Sequence, residues 1–122
     1  MTATLRKIEF YKHDLGAEEL ASLQKTHGSL FLTTGPRVAE FERGLGEYLG
    51  VPHVVGVTSC TEGLMLALMA FGVGAGDEVI TTPMTFIATP NSALYVGATP
   101  VFVDVDPQTA LIDPEAVEAA IT

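Results

Sequence analysis

The stretch Val54-Val-Gly-Val-Thr-Ser-Cys-Thr-Glu-Gly-Leu-Met-Leu-Ala-Leu-Met-Ala-Phe71 contains the change of pattern that decides the fold. It begins with a short run rich in β-branched residues, Val54 to Thr58, which is typical of a buried strand. Ser59-Cys60-Thr61 follows as a helix cap. Leu64 to Phe71 is apolar on every side, which predicts a helix that is covered all round. The stretch therefore predicts a buried strand followed directly by a buried helix.

The same alternation continues toward the carboxyl end of the chain. The predicted elements are a strand at 78–81, a helix at about 87–96 in which Pro90 either sits in the first turn or kinks the helix, a strand at 101–105, and a final helix capped by Asp113 and Pro114. Alternating strands and helices are the signature of an α/β protein with a mostly parallel sheet and flanking helices. With three short strands, the predicted sheet is thin.

Two helices are predicted before the first strand. One covers about Ala17 to His27, with Leu20 and Leu23 on its buried side and Gly28 as its stop. The other begins at Pro36, a favoured first-turn residue, and ends at Gly50. The chain has no internal repeat, low-complexity tract or flexible linker, so residues 1–122 are predicted to form one unit or a piece of one.

Composition and charge argue against nucleic acid as a partner and against a membrane-spanning segment. The 122 residues are 48% hydrophobic and carry a net charge of -9, without a basic cluster, so nucleic acid is not an expected partner. The uncharged stretch Val79–Val103 contains three prolines and is not expected to enter a membrane. The first residues lack the apolar run of a signal peptide, and Cys60 has no internal disulfide partner, so a cytoplasmic location is expected.

The first candidate for chemistry is Thr58-Ser-Cys-Thr-Glu-Gly63, between the predicted strand and helix. Unpaired N–H groups at a helix start, with the positive end of the helix dipole, form an anion site that suits a phosphate monoester. The hydroxyls of Ser59 and Thr61 could add donors. The alternative is that Ser59 or Thr61 merely caps the helix. The spacing fits neither a Walker loop nor a dinucleotide fingerprint.

The second candidate is Thr82-Pro-Met-Thr-Phe-Ile-Ala88, at the carboxyl end of the second strand. Ligands of open α/β sheets bind at that edge, so Phe86 could lie against a planar ring. The alternative is that Phe86 fills the core, which is the usual role of an aromatic residue at a strand end. No metal site is predicted, because His13, His27 and His53 stand apart from other ligands at metal-binding spacing.

Three segments, in this order and spacing, resemble the DegT/DnrJ/EryC1/StrS family of sugar aminotransferases, which depend on pyridoxal 5'-phosphate (PLP). The segments are Leu32-Thr-Thr-Gly-Pro-Arg37 with the helix behind it, Ser59-Cys-Thr-Glu-Gly-Leu64 with Gly72-Val-Gly-Ala-Gly-Asp-Glu-Val-Ile80, and Pro83-Met-Thr-Phe-Ile-Ala-Thr89 with Gly97-Ala-Thr-Pro-Val-Phe-Val-Asp-Val-Asp106. The resemblance implies that the chain is the first part of the large domain of a fold type I PLP enzyme.

The resemblance also implies roles for individual residues. The backbone and side chain of Thr61 and the backbone of Glu62 would hold the cofactor phosphate, in the turn that also contains Ser59 and Cys60. Cys60 departs from the family's usual Gly or Ala but is still small. Phe86 would stack on the pyridine ring, and Gly35 would lie in a loop lining the substrate pocket. The expected substrates are a keto-sugar nucleotide and an amino-acid donor, typically glutamate, and the expected assembly is a homodimer.

The resemblance does not extend to the reacting groups. The lysines of this chain, Lys7, Lys12 and Lys25, precede the first predicted strand and match no family motif. Without a positioned lysine amine there is no proton transfer at the substrate carbon. No catalytic residue is therefore assigned, and the chain is expected to be a truncated, inactive form whose strands lack some of their usual neighbours. The alternatives are a non-catalytic dimerisation or regulatory module and a flavodoxin-like nucleotide-binding domain.

Overall fold

The computed structural model describes Glu9 and residues 11–122. The chain divides into two compact units, of which the first ends at Gly56 and the second begins at Val57. In the described range, every helix falls short of the length and apolar content needed to cross a membrane.

The first unit begins with helix α1 (Ala17–His27), which has the bounds predicted from the sequence. The Glu19 carboxylate accepts a hydrogen bond from the Gly16 backbone N–H at 2.7 Å, and this contact fixes the start of the helix. The prediction that Leu20 and Leu23 lie on a buried side is wrong, because both are exposed. The helix has no buried residue, so it is held mainly by its own local hydrogen bonds.

Helix α2 (Pro36–Leu49) also begins and ends as the sequence predicts. Pro36 occupies the first turn, where its missing N–H costs nothing, and Gly50 ends the helix in a left-handed conformation with φ of 68°. Gly46 is the buried residue of this helix. The Val51 N–H returns to the Gly46 carbonyl at 3.0 Å, which folds the chain back over the end of α2.

The segment after α2 forms no strand, so the predicted buried strand at 54–58 is wrong. Val55 is 76% exposed, and no strand among the described residues pairs with this segment. The Glu42 carboxylate of α2 accepts the Gly56 N–H at 2.7 Å. A side chain therefore satisfies one backbone group that a neighbouring strand would otherwise pair.

The second unit alternates helices and strands, as predicted. Its elements are α3 (Cys60–Ala70), β1 (Glu78–Thr81), α4 (Ala88–Tyr95), β2 (Thr99–Phe102) and α5 (Pro114–Ala119). β1 and β2 form a two-stranded parallel sheet in which Glu78 pairs with Thr99 and Thr81 with Phe102. Helix α4 is the crossover between the two strands. The predicted class, an incomplete parallel sheet with flanking helices, is confirmed.

The third predicted strand, expected at 101–105, is strand β2 of the structure and has different bounds. β2 begins earlier, at Thr99, and ends at Phe102. The following chain turns back on itself instead of extending the sheet: Val105 forms an antiparallel bridge with Ile112. The Asp106 carboxylate organises the turn by accepting the N–H groups of Gln108 and Thr109 at 2.9 and 2.7 Å.

A small core surrounds α4. Its buried hydrophobic residues are Ala88, Ala93, Ala98 and Val103, with Thr81 and Ser92 as buried polar neighbours. Helix α4 packs against both strands and against α3. The prediction that α3 is covered all round is nevertheless wrong, because none of its residues is buried and Met69 is 58% exposed. Helix α4 covers one side of α3, and the other apolar sides of α3 are exposed to water.

Two glycines of α2 give a matched test of how this helix packs against the residues that follow it. A Cβ at Gly44 would meet nothing within 4 Å, so Gly44→Ala should raise the free energy of unfolding by about 0.5 to 1 kcal/mol. A Cβ at Gly46 would lie 3.1 Å from the Val51 carbonyl oxygen and 3.6 Å from Val54 Cγ2. Gly46→Ala should therefore stabilise less than Gly44→Ala in urea unfolding, and the reverse order would contradict the packing at Gly46.

Candidate functional site

Helix α3 begins at a turn made by residues Thr58 to Glu62, here called the α3 turn. Ser59 is the cap residue in an extended conformation, with φ of -158° and ψ of 157°. Its hydroxyl oxygen accepts the Glu62 N–H at 3.2 Å, and its carbonyl accepts the Gly63 N–H at 3.0 Å. The capping role that the sequence offered for Ser59 is confirmed, and the hydrogen bond to Glu62 is a long one.

Two backbone donors of the α3 turn have no partner. In the part of the chain that the structure describes, no hydrogen bond occupies the N–H groups of Cys60 and Thr61, or the Thr61 hydroxyl. The Glu62 N–H differs, because a ligand oxygen that accepts it must replace the Ser59 hydroxyl. The helix dipole adds positive potential at these amides. The turn thus presents convergent donors of the kind that bind an anion.

The Glu62 side chain is also part of the α3 turn. Its carboxylate accepts the Thr58 backbone N–H at 3.1 Å and, through the same oxygen, a short hydrogen bond from the Thr58 hydroxyl. These two donors, the hydroxyl first and the backbone second, lower the pKa of Glu62 below its ordinary value. Sequence reasoning missed this contact. The Ser59-x-x-Glu62 spacing of a capping box was the available signal, although the carboxylate bonds Thr58 instead of the Ser59 N–H.

Phe86 lies in the loop between β1 and α4. The Thr82 hydroxyl accepts the Met84 N–H at 3.1 Å, and the Phe86 carbonyl accepts the Thr89 N–H at 3.0 Å, so the loop leads directly into α4. The Phe86 side chain is 75% exposed. The alternative that Phe86 fills the core is therefore wrong, and its ring is accessible to a planar ligand. The helix that follows Phe86 packs against α3.

Gly35 belongs to the first unit and is described with that unit alone. It is the cap residue of α2, with φ of -106°, a conformation open to any residue. A Cβ at this position would lie 2.8 Å from Phe31 Cβ, which is closer than side chains tolerate. Glycine is required here because the backbone passes close to Phe31. The expectation that this loop lines a substrate pocket stays a prediction.

The residues of the second unit fit a phosphate ester that carries a flat ring. The Cys60 and Thr61 amides and the Thr61 hydroxyl can donate to phosphate oxygens. Cys60 is exposed and small, so its side chain leaves room at the amides. The Phe86 ring offers an apolar face. The solved structures that this chain resembles place it in the class of PLP-dependent transferases of fold type I.

Comparison with known sequences defines the family within that class. The sequence profile described as the DegT/DnrJ/EryC1/StrS aminotransferase family matches residues 13–122, and the chain belongs to this family. The spore coat polysaccharide biosynthesis protein SpsC of Bacillus subtilis (strain 168) is 48% identical over 108 residues. These residues are 88% of this chain and 28% of SpsC.

Solved structures agree with the family assignment. Spr1654 of Streptococcus pneumoniae, described as a sugar aminotransferase and solved in its PLP form, is 39% identical with a TM-score of 0.89. The match covers 96% of this chain and 30% of Spr1654. NtdA of Bacillus subtilis, solved with the cofactor pyridoxamine phosphate (PMP), is 35% identical with a TM-score of 0.81. The match covers 99% of this chain and 29% of NtdA. The chain thus spans less than a third of the length of these relatives.

Replacement of Gly35 tests whether the close approach to Phe31 is required. Gly35→Ala should lower the free energy of unfolding by about 1 to 3 kcal/mol, because the new Cβ forces the backbone apart at the start of α2. Urea unfolding followed by circular dichroism measures this change. Gly44→Ala in the same helix is the control, since its Cβ meets open space. A Gly35→Ala variant as stable as the original chain would contradict the contact.

Proposed function

We propose that the second unit forms part of the PLP site of an enzyme that transfers an amino group to a keto-sugar nucleotide. The unpartnered amides of Cys60 and Thr61 at the start of α3 carry this proposal. Family membership supports it, as do the PLP and PMP forms of Spr1654. The amino donor is proposed to be glutamate, and the location to be the cytoplasm.

The α3 turn is proposed to bind the phosphate. Thr61 donates its backbone N–H and hydroxyl, and the Cys60 N–H adds a donor beside them. The Glu62 N–H joins them when the phosphate takes the place of the Ser59 hydroxyl, which holds this amide at 3.2 Å. Hydrogen bonds to a charged phosphate are stronger than the neutral Ser59 contact that they replace. The exchange is therefore favourable.

Phe86 is proposed to hold the ring of the cofactor. Its exposed face can stack on the pyridine, which excludes water from one side of the ring and fixes its plane. When bound, PLP supplies the electron sink for amino-group transfer. The proposal assigns the lysine that reacts with PLP to a position outside these 122 residues. It also assigns a substrate-lining role to Gly35, within a homodimer.

Thr61→Ala tests the phosphate assignment. Pyridoxamine phosphate is the suitable probe, because it lacks the aldehyde that reacts with surface lysines. Isothermal titration should show saturable binding to the original chain and weaker binding, by about five-fold, to Thr61→Ala, as expected for one lost hydrogen bond of about 1 kcal/mol. Pyridoxamine without phosphate should bind both chains equally weakly. Equal affinity of the two chains for pyridoxamine phosphate would contradict the assignment.

Phe86→Ala tests the ring assignment separately from the phosphate. The loss of stacking should weaken pyridoxamine phosphate by about two- to ten-fold and leave the affinity for inorganic phosphate unchanged. Phosphorus NMR titrations measure both affinities. Phe71→Ala is the matched control, since Phe71 is also exposed but lies at the end of α3 opposite to the α3 turn. A weaker affinity for inorganic phosphate in Phe86→Ala would contradict this division of roles.

Covalent trapping distinguishes the proposed cofactor site from the alternative of a non-catalytic dimerisation or regulatory module. When borohydride is added to the chain with PLP, the cofactor should not become attached to one particular lysine, because no lysine of this chain lies in a family motif. A unique modified lysine, detected by mass spectrometry, would contradict the assignment of the reactive amine to a position elsewhere. A stable dimer without any cofactor binding would favour the dimerisation module.

A further inference from the structure

The hydrogen bonds between Thr58 and Glu62 close the α3 turn into a ring of five residues. The Glu62 carboxylate accepts both donors of Thr58, and the Ser59 hydroxyl accepts the Glu62 N–H inside that ring. We call the pair of bonds from Thr58 to the Glu62 carboxylate the Thr58–Glu62 clasp. The residues enclosed by the clasp include Cys60 and Thr61, whose amides are proposed to bind the phosphate.

Apart from the clasp, the Ser59 cap is the side-chain hydrogen bond that supports this turn among the described residues. The first amides of a helix lack partners within the helix, so the first turn loosens easily. Helix α3 packs against α4 and most of its first residues are half-buried, but none of its residues is fully buried, so packing supports this turn only in part. The Ser59 cap is a long hydrogen bond and is replaced when a ligand binds the Glu62 N–H. The clasp is the side-chain contact of the α3 turn that can persist with the phosphate bound, beside the backbone hydrogen bond from the Gly63 N–H to the Ser59 carbonyl.

The Glu62 carboxylate has two opposite effects on an anion. Its negative charge repels a phosphate, so removing the charge alone would strengthen binding. Its hydrogen bonds hold the amides in place before the ligand arrives, so removing them would weaken binding. The Thr58 hydroxyl and backbone N–H both donate to this carboxylate and lower the pKa of Glu62, which favours the ionised form. Engagement by two donors draws the carboxylate toward Thr58.

We propose that Glu62 is a positioning residue for the cofactor phosphate, acting through its clasp on Thr58 to hold the Cys60 and Thr61 amides in a binding arrangement. This inference rests on the proposed function. Glu62 does not need to touch the phosphate with its side chain. The side-chain carboxylate sets the shape of the turn, and the backbone donates to the ligand.

A double-mutant cycle on the 122-residue chain tests this proposal, with pyridoxamine phosphate as the probe. Glu62→Ala should weaken binding by about five-fold, although it removes a repelling charge. Thr58→Val should weaken binding about two- to three-fold, because the backbone donor of Thr58 remains. In the Glu62→Ala background, Thr58→Val should have no further effect, since the clasp is already broken. Glu62→Gln should recover binding, because its amide oxygen accepts the same donors.

Amide hydrogen exchange supplies a readout that a general loss of stability would not reproduce. The Thr58 amide should exchange faster in Glu62→Ala, while the Val103 amide, bonded to the Thr81 carbonyl at 2.9 Å, should keep its rate. Glu115→Ala is the matched control, because Glu115 is also an acidic residue in a first helical turn. It should change neither the affinity nor the Thr58 exchange rate.

The outcomes separate this inference from the function on which it rests. Unchanged or tighter binding in Glu62→Ala, or additive effects of Thr58→Val and Glu62→Ala, would overturn the positioning role while Thr61→Ala still weakened binding. Failure of the original chain to bind pyridoxamine phosphate, or equal binding by Thr61→Ala, would overturn both proposals. Loss of binding in Glu62→Gln as well as Glu62→Ala would show that the charge itself is needed and would also overturn the clasp.

Discussion

The structure of the second unit depends on the parallel pairing of β1 with β2. Parallel strands cannot be joined by a tight turn, so the chain must cross over through a helix, and α4 provides this crossover. Ala93 is fully enclosed at the centre of the resulting core. The loop containing Phe86 is fixed at both ends by this arrangement, since β1 ends before it and α4 begins after it. The candidate site therefore depends on a strand pair that contributes no side chain to it.

Features determined by nearby residues could be predicted from the sequence. Pro36 and Gly50 define α2 through their own backbone preferences, and Ser59 caps α3 through a bond to a residue three positions away. Burial could not be predicted in this way, because it depends on what lies opposite. The valines of residues 54–58 have the composition of a strand, but none of the described residues forms a strand that pairs with them. Leu20 and Leu23 have helical spacing, but both side chains are exposed among the described residues.

The candidate site shows the same division between local and distant information. The unpartnered amides follow from the position of Thr61 in the first turn of a helix, and the accessibility of Phe86 follows from its loop. The proposal that they combine into a cofactor site rests on the resemblance to a family, not on composition. The Thr58–Glu62 clasp was missed because side-chain bonds at a helix start have several geometries. The spacing of Ser59 and Glu62 permits more than one of them.

The charge of the chain limits how the α3 turn can bind a phosphate. With a net charge of -9 and an ionised Glu62 within the turn, no side-chain cation of this turn attracts the anion. Within this turn, attraction to the proposed phosphate comes from the backbone amides and the Thr61 hydroxyl, whose dipoles act over short distances and are weakened by water. A site of this kind depends on the direction of its amides more than on long-range steering. Any contact that fixes the amides, or that excludes water from them, therefore has a larger effect on affinity than an added surface charge.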